Sequence, residues 1–171
     1  EESIKKLEEY GNIAKNENKQ DEALNYYTKA VEANPGNETA NLNKALSLYS
    51  KGQYTEAVES FDMAIQLNPR NENGYCGIGN CFYKTNNKSE ALKNFDNALK
   101  VNPKSKCALY NKALCHSSLG QYKEAMDTLD NLDAIEKSPK NAITKGLILM
   151  KENKYAEAKK VCSFRVPSRQ P

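Results

Sequence analysis

The stretch SKGQYTEAVESFDMAIQLNP, residues 50–69, ends in an Asn-Pro pair that recurs along the chain. The pair occupies 34–35, 68–69 and 102–103, so its prolines are 34 residues apart each time. Three further series keep this interval: Ala23, Ala57, Ala91 and Ala125; Ala30, Ala64 and Ala98; Tyr27, Phe61 and Phe95. Such a period is typical of a helical hairpin with its linkers. The sequence therefore predicts a tandem array of helix pairs.

The same stretch also predicts where each helix of a hairpin begins and ends. Apolar residues between 57 and 67 recur at about i, i+3, i+4 and i+7, the spacing of an amphipathic helix. Pro69 ends this helix, because proline lacks an N–H and disfavours helix in the residue before it. Gly52 suits a left-handed turn after the preceding helix. We expect helices over 38–51 and 54–67, joined by that turn.

The register divides the chain into five repeats when Ile4 is taken as position 1. They cover residues 4–37, 38–71, 72–105, 106–138 and 139–163, with a contraction of one residue before the fifth. The fourth repeat departs from the pattern, because Leu129, Leu132 and Lys137 replace the aromatic residue, the second alanine and the proline. The fifth has Cys162 at the aromatic position, so its hairpin is predicted to be incomplete.

Residues 164–171 differ in composition from the repeats. They contain two arginines and two prolines but no lysine, whereas the preceding repeats use lysine almost exclusively. We interpret this segment as a non-native or disordered tail.

The repeat pattern resembles the tetratricopeptide repeat (TPR). That family has a small residue at position 8, glycine at 15, tyrosine at 17, alanine at 20 and 27, an aromatic at 24 and proline at 32. The second repeat supplies Ala45, Gly52, Tyr54, Ala57, Phe61, Ala64 and Pro69, and the third replaces the glycine and tyrosine by Asn86 and Lys88. The resemblance covers all five repeats. It implies an all-α fold, a right-handed superhelix (α-solenoid) of about five helix-turn-helix hairpins.

Composition argues against several other functions. Charged residues are 27% of the 171 residues and the net charge is only +3, with lysines scattered among glutamates, so a nucleic-acid partner is not expected. No apolar run approaches the ~20 residues of a membrane span, so a membrane partner is not expected either. Five cysteines without CxxC spacing and no signal-peptide pattern favour reduced thiols in an intracellular, cytoplasmic protein, with a nuclear location left open.

No catalytic motif is present. The chain has no GxSxG, no glycine-rich phosphate loop and no HExxH, and its lone histidine, His116, falls at a packing position of a predicted helix. We therefore expect a protein that is not an enzyme and uses no cofactor or metal.

The resemblance implies a concave groove lined by the first helix of each hairpin, at positions 2, 5, 6, 9, 12 and 13. From these positions we predict a peptide-binding set: Asn12, Leu42, Asn43, Leu46, Tyr49, Asn80, Tyr83, Tyr110, Asn111, Leu114 and Lys140. Amides can pair with the backbone of an extended peptide, and apolar side chains can form pockets for its side chains. For Leu46 and Leu114, packing against neighbouring helices explains the residue equally well. The same register places Cys76 and Gly77 in the lining.

We expect a non-catalytic scaffold or adaptor that binds a peptide segment of a partner protein. One alternative is the TPR subset that binds the acidic C-terminus of heat-shock chaperones through lysine, asparagine and arginine. Its five positions read Glu8, Asn12, Asn43, Asn73 and Gly77 from the first repeat, and Cys76, Asn80, Asn111, Lys140 and Thr144 from the third. The first window keeps both amides and lacks all three cations.

Two further alternatives remain. The asparagines at positions 6 and 9 partly resemble the TPR arm that selects substrates for protein O-glycosyltransferases, although Glu9, Gly77 and Thr144 interrupt the series. The exposed last hairpin also offers a surface for self-association.

Overall fold

The computed structural model describes residues 2–163, and in this part of the chain all regular structure is helical. The helices are α1 (Glu2–Asn16), α2 (Gln20–Ala33), α3 (Glu38–Ser50), α4 (Tyr54–Leu67), α5 (Glu72–Lys84), α6 (Lys88–Val101), α7 (Lys106–Ser118), α8 (Tyr122–Ile135), α9 (Pro139–Lys151) and α10 (Tyr155–Cys162). The helix expected over 38–51 is α3, which ends one residue earlier, and that expected over 54–67 is α4. The predicted array of helix pairs is confirmed.

The helices form two compact units, divided between Val101 and Asn102. In the first unit, each helix from α2 to α6 packs against the helix before it. In the second unit, each helix from α8 to α10 does the same. We call the odd-numbered helices, which open each hairpin, the A helices, and the even-numbered ones the B helices.

Every hairpin turns through one residue with a left-handed backbone. Gly52 and Gly120 have φ angles of 78° and 76°, and Asn18, Asn86 and Asn153 have φ angles of 63°, 66° and 61°. All five stand at position 15 of their repeats. Asparagine enters this region more readily than other residues with a β-carbon, because its short polar side chain bonds locally. The turn is therefore kept where the sequence departs from glycine.

The turn at Asn86 yields a first testable prediction. Asn86→Ala is expected to lower the free energy of unfolding by about 1 kcal/mol, because the β-carbon of an ordinary residue is strained there. Asn86→Gly should stay within about 0.5 kcal/mol of the parent, since glycine adopts this backbone without strain. Urea unfolding followed by circular dichroism measures both variants. Equal stabilities of the alanine and glycine variants would show that the left-handed backbone at residue 86 does not determine the free energy of unfolding.

The Asn-Pro linkers have one structure in all three places. The side-chain oxygens of Asn34, Asn68 and Asn102 accept from the backbone N–H two residues later, at 3.0–3.1 Å. Three residues after each asparagine comes the N-cap of the next A helix, which is Asn37, Asn71 or Ser105. The linker therefore ends one hairpin and caps the first helix of the next.

The core of each hairpin pairs a large side chain at position 24 with a small residue at position 8. Tyr27, Phe61 and Phe95 are fully buried. A β-carbon added at Gly11 would lie 2.6 Å from the Tyr27 ring, and one at Gly79 would lie 2.6 Å from the Phe95 ring. Small residues are required at position 8 because the aromatic ring occupies the space of a side chain.

The fifth hairpin is built on a smaller pair. A β-carbon added at Gly146 would lie 2.3 Å from the Cys162 sulfur, so glycine again faces the residue at position 24. Its second helix, α10, has 8 residues, whereas the other B helices have 14. The prediction of a disordered or non-native tail concerns residues 164–171, which lie outside the described part of the chain.

Candidate functional site

All eleven residues predicted to bind a peptide lie on A helices, and each of them is exposed or half-buried. On α3, Leu42, Leu46 and Tyr49 lie at the surface or partly so, whereas Ala45 and Leu48 are buried in the hairpin core. The register thus separates residues that hold the repeat together from residues that are accessible to a ligand.

Cys76 and Gly77 were placed in the groove lining, and this prediction is wrong. Cys76 is 3% exposed. A β-carbon at Gly77 would lie 2.3 Å from the Phe61 ring of α4, so the backbone of α5 packs directly on that ring. The sequence carries a signal for this approach, since residues 74 and 79 of the same helix are also glycine. Close packing of α5 on α4 covers these positions.

Leu46 and Tyr49 line an open cavity of about 440 Å³ in the first unit. The cavity is also lined by Lys15 near the end of α1, Asn18 in the turn that follows and Gln20 at the start of α2. Leu46 is 37% exposed, so it retains surface for a ligand as well as packing area. The Tyr49 ring also packs against that of Tyr54, with centroids 5.5 Å apart. An apolar and aromatic surface with polar rims is a usual setting for side-chain recognition.

The asparagines of the first unit are in different situations. The side-chain oxygen of Asn12 accepts from the Tyr27 hydroxyl at 2.7 Å, so part of its bonding capacity is used within the hairpin. Burial raises the pKa of Tyr27, and the charge of Glu8 adds to this, which keeps the phenol protonated as that donor. For the half-buried amides of Asn43 and Asn80, no hydrogen-bonding partner occurs among residues 2–163. Both amides are therefore able to bond a ligand.

In the second unit, α7 and α9 face each other around Tyr110. The Thr144 hydroxyl donates to the Lys140 carbonyl at 2.9 Å, so its oxygen accepts from the Tyr110 hydroxyl at 3.2 Å. The Lys140 ammonium lies 3.8 Å from the centroid of the Tyr110 ring, within range of a cation–π interaction. The Asn111 amide donates to the Cys107 sulfur at 3.4 Å. These contacts fix the orientation of the tyrosine ring.

Two open cavities adjoin Tyr110. One of about 500 Å³ includes Cys107, Asn111 and Lys140 in its lining. The other, about 470 Å³ and largely apolar, lies between the helices; we call it the α7–α9 groove, formed by Tyr110, Leu114, Leu147, Met150 and Lys151. Leu114, for which packing and ligand contact were both open, is half-buried in this lining. Leu147, Met150 and Lys151 hold groove positions of the fifth repeat, but the predicted set included only Lys140 from that repeat.

The described residues offer few side chains suited to catalysis. Burial raises the pKa of the Cys81 thiol to about 12, which keeps it neutral and unreactive near pH 7. The Nδ1 atom of His116 lies 2.7 Å from the side-chain oxygen of Gln121, at the turn after α7. Across residues 2–163, no three His, Cys, Asp or Glu side chains are grouped to hold a metal ion. Within the same range, no helix combines the length and apolarity needed to cross a bilayer.

Models of known families match three parts of the chain. A tetratricopeptide-repeat model matches residues 7–37, a TPR-repeat model matches 45–86, and the model of "Anaphase-promoting complex, cyclosome, subunit 3" matches 84–163. The chain belongs to the TPR family. A search of curated protein sequences finds no match to it.

Solved TPR structures have the same fold. MamA is 21% identical, with 89% of this chain and 90% of that one covered and a TM-score of 0.78. A thermophilic TPR protein from Thermus thermophilus, TTC0263, is 18% identical, with 97% and 93% covered and a TM-score of 0.78. YrrB, described as a TPR protein with an unusual peptide-binding site, is 19% identical, with 91% and 80% covered and a TM-score of 0.69.

These likenesses confirm the all-α helical-repeat fold predicted from the sequence. A TPR fold is a scaffold for binding another protein, and TPR modules are typically non-catalytic.

Proposed function

We propose that this TPR chain is a non-catalytic scaffold or adaptor whose A helices bind a peptide segment of a partner protein. The observation that carries the proposal is the separation of roles on the A helices. Small residues at position 8 are buried against the B helices, while amides, leucines and tyrosines at the groove positions stay accessible. Exposing such residues together is unfavourable for solubility, and a bound partner would cover them.

Each unit offers complementary means of binding. In the first, the amides of Asn43 and Asn80 can donate to and accept from a peptide backbone, and Leu46 and Tyr49 border a cavity for its side chains. In the second, Tyr110 and Leu114 form part of an apolar groove. Rigid aromatic anchors and a few placed amides are the usual elements of peptide recognition.

The chaperone-binding alternative has less support. Glu8, at the position of the first lysine in that subset, accepts from the Asn37 amide at 2.9 Å and so is held in place by the next hairpin. A fixed carboxylate would repel the carboxylate of an acidic C-terminal peptide. We therefore expect calorimetry with such a peptide to show no binding at micromolar concentration.

Removal of the groove amides tests the proposed function. Affinity capture from cell extract with the whole chain would first identify its bound proteins. In the triple variant Asn43→Ala, Asn80→Ala and Asn111→Ala, their affinity is expected to fall at least about tenfold, because each lost hydrogen bond is worth roughly 1 kcal/mol. Titration calorimetry with the captured partner measures the change.

A second triple variant is the matched control. Asn25→Ala, Gln66→Ala and Asn97→Ala remove three amides from the B helices α2, α4 and α6, at exposed or half-buried positions. This control should bind within about twofold of the parent. Unchanged binding by the groove triple variant, with its helical content intact, would contradict binding at the A helices.

A further inference from the structure

We propose that the α7–α9 groove selects an amphipathic helix that carries acidic residues on both sides of an apolar centre. This inference rests on the proposed function and assigns the class of segment that the second unit binds.

Charge is segregated between the two kinds of helix in this unit. Neither α7 nor α9 contains an aspartate or a glutamate. The carboxylates among the unit's described residues lie on α8, on α10 and in the turns that follow α8 and α9. These two helices therefore place no carboxylate on the face they form. Glu136, from the turn after α8, reaches the cavity beside Tyr110, where it pairs with Lys106. A face whose own helices carry lysines but no carboxylates favours a negatively charged ligand.

Two of the five lysines on α7 and α9 pair with carboxylates of the fold, and two others are exposed at the ends of α9. Lys106 pairs with Glu136, and Lys145 is buried and pairs with Asp130 and Asp133. Lys140 and Lys151 are exposed, and no carboxylate within residues 2–163 pairs with either of them. Lys140 begins the exposed face of α9, and Lys151 ends it.

Between these two lysines lies an exposed apolar stripe. Ile143 is 57% exposed, Leu147 is 55% exposed and Met150 is 50% exposed. Their spacing of i, i+4 and i+7 places them on one face of α9, and Leu114 lies across the groove from the latter two. Three large apolar side chains left half in water on one helix indicate a surface that a partner covers.

The length of the stripe defines the ligand. Lys140 and Lys151 are eleven residues apart, about 16 Å along a helix at 1.5 Å per residue. A helix lying along α9 matches this span with about three turns. Apolar residues at i, i+3 or i+4, and i+7 would meet the stripe, and an acidic residue beyond each end would meet a lysine.

The polar groups beside the stripe favour a helical ligand over an extended one. The hydroxyls of Tyr110 and Thr144 bond each other, and the Asn141 amide donates to Asp133 at 2.9 Å and to the Glu136 carbonyl at 3.0 Å. An extended peptide lying here would leave many of its backbone groups unpaired, which is costly once water is excluded. A helix satisfies its own backbone and needs only apolar contact and charge.

A displayed library of random 16-residue peptides, selected on the whole immobilised chain, tests the inference. Peptides are kept if they bind the parent but not the variant Leu147→Ser with Met150→Ser, which changes only half-exposed side chains. We expect the retained sequences to have apolar residues at i, i+3 or i+4 and i+7, and a net negative charge. Retained sequences that are basic, or that lack helical spacing, would overturn the inference.

One retained peptide is then synthesised and its affinity is measured by fluorescence anisotropy. Lys151→Glu is expected to weaken binding about fivefold, and the loss should shrink in high salt. Lys159→Glu, an exposed reversal on α10, is the matched control and should change the affinity by less than twofold. An unchanged affinity in Lys151→Glu would overturn the charge assignment, and this variant still decides the matter if the serine variant does not fold.

The outcomes distinguish this inference from the proposed function. If partners require the groove amides but the α7–α9 groove yields peptides without acidic character, only the inference fails. If neither the amide triple variant nor the serine variant changes any binding, the proposed function fails. If sedimentation shows parent dimers that the serine variant abolishes, the occupant is a second copy of the chain, which also overturns the inference.

Discussion

Gly77→Ala is expected to lower the free energy of unfolding by about 2 kcal/mol. This is an overpacking cost of about 3 kcal/mol, the upper end of the range for a buried site, less a gain of about 1 kcal/mol in helix propensity. A β-carbon there would lie 2.3 Å from the Phe61 ring, whose side chain is fully buried and cannot move aside. Alanine is the better helix former by about 1 kcal/mol, so the steric cost must exceed that gain for destabilisation to appear. Urea unfolding followed by circular dichroism measures the difference.

Gly74→Ala is the matched control, because it lies one turn earlier on the same helix and carries the same gain in helix propensity. Its β-carbon would meet Ile65 Cγ1 at 2.7 Å, but this side chain is only half-buried and can rotate. We expect Gly74→Ala to lie within about 1 kcal/mol of the parent. Gly77→Ala should lower the free energy of unfolding less in a Phe61→Leu background than in the parent. Equal effects of the two alanine substitutions would contradict a rigid ring as the cause.

The hairpins were predictable from the sequence because their determinants are local. The 34-residue period located Gly52 and Pro69, and those residues define the turn and the stop of one hairpin without reference to any distant residue. Asn86 shows that a rule requiring glycine at position 15 is too narrow. The repeat requires a left-handed backbone at position 15, and asparagine meets that requirement almost as well as glycine.

The candidate site was predictable only in part, because accessibility depends on distances between helices. The register placed Leu46, Tyr110 and Leu114 on the accessible side of the A helices, where the structure has them. It also placed Gly77 there, since a fixed position number carries no information on how closely α5 approaches α4. Glycine at that position shortens the separation of the helices, and Phe61 then covers the residue.

The fourth repeat lacks the Asn-Pro pair at its end, and contacts between helices replace it. The spacing of residues in the sequence does not predict these contacts. Lys137 replaces the proline, yet Ser138 still caps α9 by accepting from the Asn141 N–H at 3.2 Å. The Asn141 side chain then donates to Asp133, and Lys145 pairs with the same carboxylate. A polar network between α8 and α9 therefore stands where the first three repeats have an Asn-Pro turn.

Lys145→Ala is accordingly expected to destabilise the second unit by about 3 kcal/mol, the lower end of the range for removing one partner of a buried ion pair. The Lys145 side chain is 10% exposed and that of Asp133 is 22% exposed, so Asp133 would be left largely buried without its counter-charge. Lys159→Ala, which removes an exposed lysine from α10, is the matched control and should change the stability by less than about 0.5 kcal/mol.

The pH dependence of this contribution follows from the pKa of Lys145. Burial lowers that pKa, but the hydrogen bonds and charges of Asp130 and Asp133 outweigh burial and raise it above 10.5. Because the pKa of the folded state is the higher one, the stabilisation is complete below 10.5 and is lost only as the pH rises through the raised value. The loss in Lys145→Ala should therefore be the same from about pH 6 to pH 9.

Double-mutant cycles separate the two carboxylates. Asp130 is 65% exposed and its pairing with Lys145 is screened by water, so a cycle with Asp130→Asn should give a coupling energy below about 1 kcal/mol. The cycle with Asp133→Asn should give about 2 kcal/mol, because that pair is mostly removed from water. Equal coupling to both aspartates would mean that burial does not control the interaction, and that the network contributes to the α8–α9 packing only as a surface ion pair.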